Sequence, residues 1–195
     1  MDDGTEPSGP GSEASLAGKL LVAAPSLGDF FRRAVVLVVE HKPEGAFGLV
    51  LNRPSADSVD EVIEGLTDHL SRYRPEADAP MMIGGPVAPD ALTCVGEHRD
   101  PADLERPLAG SIGMVDLEDP PLLERVRLYA GYAGWGPEQL DSELEAEGWV
   151  VCEFEAEDPF RGSERDGDLW STVLARQDDG ELALLARLPE DPSVN

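Results

Sequence analysis

AVVLVVEHKPEGAFGLVLNRP, residues Ala34 to Pro54, reads as an antiparallel hairpin. Its first arm, Ala34 to Val39, is apolar without alternation, the pattern of a strand buried on both faces. Lys42-Pro43-Glu44-Gly45 then places Pro and Gly at the second and fourth positions of a type I turn, where each is favoured. The second arm, Ala46 to Asn52, returns as a strand interrupted by Gly48. Polar residues stand at both open ends: Glu40-His41 near the turn and Asn52-Arg53-Pro54 at the exit. Core packing does not call for them.

Working outward, Lys19 to Ala24 (KLLVAA) reads as a strand stopped by Pro25. Ser58-Val59-Asp60-Glu61 forms a capping box, and Val59, Val62, Ile63, Leu66 and Leu70 follow on one helical face. Gly65 inside that helix costs about 1 kcal/mol relative to Ala, so it depends on packing. Short strands are expected at Pro80 to Ile83, Leu92 to Val95, Ser111 to Val115 and Val126 to Ala133, with a polar loop from Glu97 to Leu108. Gly136-Pro137 opens a helix with Pro at its first position and Gly148 just past its end; Leu140 and Leu144 face inward. Trp149 to Phe154 is a strand. Asp168 to Gln177 is a helix with Leu169, Trp170, Val173 and Leu174 inward, and Glu181 to Leu188 fits either a last strand or a further helix. Strands and helices mix without regular βαβ alternation, so the expected fold is one α+β domain over residues 18–191. Residues 1–17 are an acidic Gly/Pro/Ser-rich tail with too little apolar surface to order itself.

Charge narrows the function. The 195 residues carry 40 acidic against 15 basic side chains, a formal net charge of −25. Nonspecific duplex affinity comes from Lys and Arg displacing counterions from phosphates, and the basic pairs here (Arg32-Arg33, Arg72/Arg74, Arg125/Arg127) are too sparse for a nucleic-acid face. No direct nucleic-acid partner is expected. The acidity fits a solubilising surface, or an affinity for cations or basic partners. Cys94 and Cys152 lie in strands without a CxxC or His-rich companion and read as small buried side chains. Met1 to Ser15 is acidic, unlike a secretory leader, and no apolar run approaches the roughly 20 residues needed to span a bilayer. No membrane association and a cytoplasmic location are expected.

Three spots have functional readings beside structural ones. His41, with a neutral-range pKa as a free side chain, fits a general base or ligand donor, or a residue holding the hairpin turn. Gly84-Gly85-Pro86-Val87 fits an anion-binding nest of backbone amides or a sharp reversal. Gly131-Tyr132-Ala133-Gly134-Trp135-Gly136-Pro137 fits a phosphate cradle at a helix start, with Trp135 as a ligand platform, or a turn with Trp135 wedged into the core. The spacing is neither a dinucleotide fingerprint nor a P-loop. GxSxG, HExxH and metal-spaced His/Cys sets are absent, so neither a metal nor a cofactor is expected and no catalytic residue is assigned. Asp166-Gly167-Asp168 lacks the other ligands of a calcium loop and reads as a helix cap.

Taken in order, LLVAAPSLGD, FRRAVVLVVEHKPEGAFGLVLNRP, GGPV at Gly84 and GYAGWGPEQLDSELEAEGW from Gly131 resemble the AlgH/YqgE family of bacterial cytosolic proteins. The resemblance runs from about Gly18 to Trp149 and more weakly to Pro189. It implies an α+β fold on a curved, mostly antiparallel or mixed, partly barrel-like sheet with helices outside, and no established reaction. One member has been named a regulator of alginate genes, yet the family has no recognisable DNA-binding motif. A cysteine often precedes the Glu-His pair in the family; here Val39 stands there, which removes any thiol role at that position. The motif residues carried over as a shared ligand- or partner-binding surface are His41, Asn52, Gly84, Gly85, Trp135 and Gln139, with Trp135 expected to edge a shallow groove near Gly84-Gly85. The expected function is a non-enzymatic binding or regulatory module acting on a small-molecule or protein partner. Alternatives are a hydrolase-like enzyme using His41 with an acidic neighbour such as Glu40, and a transcriptional regulator acting without direct DNA contact.

Overall fold

The computed structural model describes residues 15–56, 81–118, 121–161 and 168–189. The hairpin is its centre. Strand β2 (Val35–Lys42) pairs antiparallel with β3 (Gly45–Val50) and with β1 (Lys19–Ala23), leaving Pro43-Glu44 as the turn between the paired Lys42 and Gly45. Val35 to Val38 are fully buried because alternate residues enter separate cores. Val35 and Leu37 join Leu20, Val22, Leu49 and Leu51 on one face. Val36 and Val38 join Leu21, Val50 and Trp135 on the other. A bulge between Val38 and Glu40 leaves Val39 outside the register.

Around that hairpin the described strands form one open sheet in the order β6-β7-β5-β8-β3-β2-β1-β9. The remaining members are β5 (Val87–His98), β6 (Pro107–Ala109), β7 (Ile112–Val115), β8 (Leu123–Trp135) and β9 (Trp149–Glu153). The order ends in β6 and β9, so the sheet does not close into a barrel. Strand β8 joins its two halves. One edge of β8 pairs antiparallel with β5, and the other pairs with β3 over only Ala133 to Trp135. Where β3 departs, β4 (Met82–Ile83) fills the gap, pairing parallel with β8 at Tyr129 and Ala130. Three backbone bonds fix this insertion: Val50 N–H to Gly84 O (2.8 Å), Ile83 N–H to Arg53 O (2.7 Å) and Gly84 N–H to Ala130 O (2.8 Å).

Helices cover the sheet. Helix α1 (Gln139–Glu145) places Leu140 in the core with Trp135 and Trp149, while α2 (Leu169–Ala175) places Leu169, Trp170, Val173 and Leu174 in the core of the opposite face. Trp170 donates its indole N–H to Ala23 O (2.8 Å), tying α2 to β1. Behind α2, Arg176 binds the fully buried Asp158 through both nitrogens, at 2.7 and 2.6 Å. Breaking a buried, bidentate pair of this kind leaves a charge without its partner.

Several boundaries differ from those the sequence suggests. The strand expected at Val126 to Ala133 spans Leu123–Trp135, so the glycine-rich stretch that by sequence also fits a turn is the last part of β8. Strand β5 has 12 residues rather than the four of Leu92 to Val95, and the polar loop after it contains a 3-10 turn (Pro101–Asp103) and β6. Pro137 precedes α1 instead of starting it, because Glu138 holds the N-cap position in the left-handed region (φ 58°). The far end of α1 closes as a Schellman motif: Glu147 N–H reaches Leu144 O (3.0 Å) and Gly148 N–H reaches Glu143 O (2.9 Å). Glu147 rather than Gly148 takes the left-handed conformation there (φ 55°). Glu181 to Leu188 resolves as helix α3 (Gly180–Leu185), capped by Asp179. The helix expected at Ser58 to Leu70 lies outside the described residues, and Leu16, placed by sequence in the tail, packs against the core with Leu27 and Phe30.

Candidate functional site

Asn52 and His41, the polar residues at the ends of the hairpin, are used for backbone hydrogen bonding. Asn52 Oδ1 accepts from Val35 N–H (3.0 Å) and its amide donates to Arg33 O (2.8 Å). One side-chain amide thus substitutes for a peptide unit and extends the β2–β3 ladder past the last backbone pair. His41 Nδ1 accepts from Leu16 N–H (3.3 Å), and its Nε2 lies 3.7 Å from Asp141 Oδ1 on α1. The turn-holding reading of His41 is therefore replaced by another: it fastens the entering chain to β2 and faces α1. A general base needs a ring nitrogen with its lone pair turned toward substrate; the Nδ1 lone pair is engaged by Leu16.

Gly84 and Gly85 serve a close crossing. A Cβ on Gly84 would lie 2.4 Å from Gly131 O, and one on Gly85 would lie 2.0 Å from the Tyr132 carbonyl carbon. These distances are below any real contact, so the glycines let β4 enter beside β8. The Gly84 amide already donates to Ala130 O, which removes it from an anion nest.

Trp135 is 7% exposed and sits edge-to-face with Trp149, ring centroids 6.1 Å apart. Both indoles donate to the same carboxylate oxygen, Glu143 Oε2, at 2.9 and 2.8 Å. Gln139 donates to Glu143 Oε1 (2.9 Å) and accepts from Gly136 N–H (3.0 Å). Burial pushes the Glu143 carboxyl upward, but the bonds from Trp149, Gln139 and Trp135 outweigh it and hold the pKa below the usual 4.5. Glu143 is the residue that sequence reading missed. Its spacing four residues after Gln139 put the two on one helical face, but nothing local ties it to two tryptophans.

The six expected surface residues therefore do not converge. Asn52 sits at the exit of β3, His41 between Leu16 and α1, Gly84 and Gly85 in the β4–β8 crossing, and Trp135 with Gln139 in the Glu143 network. Only Trp135 among them borders the open groove of about 470 Å3 that lies across the hairpin end of the sheet. A cross-strand row builds the groove: Glu40 is paired with Phe47, and Phe47 with Gly134. A Cβ on Gly134 would stand 3.1 Å from the Tyr132 ring and 3.8 Å from Val87. The missing side chain lets the Tyr132 ring lie against β8, and Phe47 packs on that ring, centroids 5.0 Å apart, to form the groove wall. Val87 is 38% exposed at its far side, and Glu40, Lys42 and Glu44 form its rim. Both thiols are buried, Cys94 pushed up to about 12 and Cys152 to about 11 by desolvation. Such thiols stay protonated and weakly nucleophilic at neutral pH. Among the described residues no group of three or more His, Cys, Asp or Glu is placed to hold a metal ion, and no helix is long and apolar enough to cross a membrane.

An open, mostly antiparallel α+β sheet with a three-residue seam between its halves defines the class of this domain. The profile of the AlgH-like family matches residues 20–180, and the chain belongs to that family. A UPF0301 protein of Streptomyces avermitilis is 44% identical over 196 residues, covering 93% of this chain and 96% of the relative. One from Mycobacterium tuberculosis is 40% identical over 197 residues, covering 95% and 94%. A crystal structure of a Corynebacterium diphtheriae protein superposes with a TM-score of 0.75 at 31% identity, covering 88% of this chain and 91% of that one. The solution structure of the AlgH protein from Pseudomonas aeruginosa gives 0.63 at 25% identity, covering 94% and 98%.

Proposed function

We propose that this protein is a non-enzymatic binding or regulatory module of the cytoplasm, acting on a partner through the groove at the hairpin end of the sheet. The observation that carries this reading is the division of labour among its polar groups. His41, Asn52, Gln139 and Glu143 are all engaged in holding backbone or indole groups, whereas the groove between Phe47, Tyr132 and Val87 is open and apolar. Shallow apolar depressions with polar rims suit a partner's side chain. Two buried, unpaired thiols favour a reducing compartment. Regulation of transcription, if it occurs, runs through that partner rather than through DNA, since the net charge of −25 opposes phosphate contact.

The test is genetic and biophysical together. A chromosomal Val87→Lys allele puts a charged side chain at the groove wall without touching the sheet core, and should reproduce the transcript profile of the deletion strain while the purified variant melts normally. A wild-type profile from that allele would sink the groove as the working surface. Hydrolysis of an ester or phosphoester panel that disappears in His41→Gln would replace the reading with the enzymatic one.

A further inference from the structure

The groove's own chemistry narrows the partner. Its walls are the π-faces and edges of Phe47 and Tyr132, tilted 52° to one another. On the rim, Glu40 is neutralised by Lys42 at 2.7 Å. Glu44, in the hairpin turn, lines the groove and has no ion pair among the described residues. One carboxylate without an ion pair among the described residues, on a groove lined by two aromatic rings, matches a flat cation: the guanidinium stacks on a ring while its N–H fork reaches the carboxylate. The same chain makes this arrangement twice internally, with Arg33 4.0 Å above the Trp170 ring and paired to Asp168, and Arg125 4.3 Å above the Phe160 ring and paired to Glu157. A net charge of −25 raises the local concentration of basic segments around the whole molecule.

We propose that the groove docks a basic segment of a protein partner by laying one of its arginine side chains on the Phe47–Tyr132 ring pair, with Glu44 as counter-ion. The proposal rests on the binding-module reading and adds the chemical class of the partner. The rim excludes an acidic peptide, and self-docking of a second copy with the same charge is opposed by repulsion.

Fluorescein-labelled hexa-arginine is the probe, titrated by anisotropy at about 150 mM salt, where exposed charges beyond roughly 8 Å are screened. Glu44→Gln and Phe47→Leu should each weaken binding by about two- to fivefold, the range for an exposed cation–π contact or a lost counter-ion. Glu181→Gln, an equal charge change on the exposed face of α3, should alter it less than about twofold. Amide shifts in the 15N spectrum should cluster at Phe47, Tyr132 and Gly134. Glu44 lies in a surface turn, so its variant remains informative even if Phe47→Leu melts early. Equal losses from Glu44→Gln and Glu181→Gln would reduce the effect to bulk charge and overturn the proposal. So would shifts scattered over the surface, equal affinity for labelled hexa-lysine and hexa-arginine in every variant, or a groove-dependent dimer in sedimentation. A Val87→Lys allele that loses function while hexa-arginine binding is insensitive to Glu44 and Phe47 would keep the module and discard the arginine.

Discussion

Replacing Glu143 by leucine is the most demanding perturbation of the network at the end of β8. The carboxylate receives Trp135 and Trp149 on one oxygen and Gln139 on the other. Both tryptophans are buried, at 7% and 5% exposure, so their indole N–H groups have no ready access to water once the acceptor is gone. Each orphaned donor costs roughly 1–3 kcal/mol. The two share one acceptor and relax together, so Glu143→Leu should cost about 2–4 kcal/mol rather than the full sum. For a chain of this size that is a fall in melting temperature of roughly 5–15 °C. Glu143→Gln keeps an oxygen for the indoles and should cost only about 1 kcal/mol, the charge-assisted part. The pH dependence has a definite sign. The folded pKa lies below its usual 4.5, so the carboxylate's stabilisation is fully present above about pH 4.5 and fades as pH falls through the folded value. Denaturant melts followed by tryptophan fluorescence should therefore show a gap between wild type and Glu143→Gln at pH 7 that narrows below about pH 4. A Glu143→Leu protein melting within about 1 °C of wild type would refute the reasoning, because it would mean the indoles find other acceptors.

Asp158→Ala should destabilise by about 1–3 kcal/mol, since it takes the bidentate partner from the half-buried Arg176 and the acceptor from Glu155 N–H, and urea unfolding measures it; a cost below about 0.5 kcal/mol would show that Glu155 and the Glu153 carbonyl suffice. Gly85→Ala places a methyl 2.0 Å from the Tyr132 backbone, so it should yield little soluble protein or a melting point lowered by many degrees in scanning calorimetry, whereas Gly28→Ala, which meets nothing within 4 Å and has a negative φ, should change the melting point little. Duplex DNA should give no gel shift at submicromolar protein and about 150 mM salt, and a salt-sensitive shift would contradict the charge argument.

The resemblance in sequence extended to Gln139, but what Gln139 does, and the existence of the groove, depended on contacts between distant residues. Phe47 and Tyr132 are 85 positions apart in the chain and meet only because β3 lies beside β8. The glycines of Gly131 to Gly136 illustrate the difficulty. Glycine is compatible with a turn, a cradle or a crowded strand, and only the approach of β4 and β5 distinguishes these. Pro137 is similar: fixing φ near −65° suits the residue before a cap as well as the first helical position.

What the amino-acid order settled alone was local. The apolar run Val35 to Val38 demanded a strand with two buried faces, Pro43 and Gly45 demanded a turn between paired arms, and the apolar stripe of Leu169, Trp170, Val173 and Leu174 demanded a helix on a core; each follows from periodicity and backbone sterics within a few residues. The four motifs likewise marked the family. Tertiary structure decided the seam of Ala133 to Trp135, the wedge of Met82-Ile83, the bond from Asn52 to Arg33 and Val35, and the joint hold of Glu143 on two tryptophans. A hydrogen-bonding side chain carries no sign of which partner it will find. That choice is made by whichever backbone or indole group the fold leaves unsatisfied and buried nearby, where leaving it unpaired costs more than any local preference.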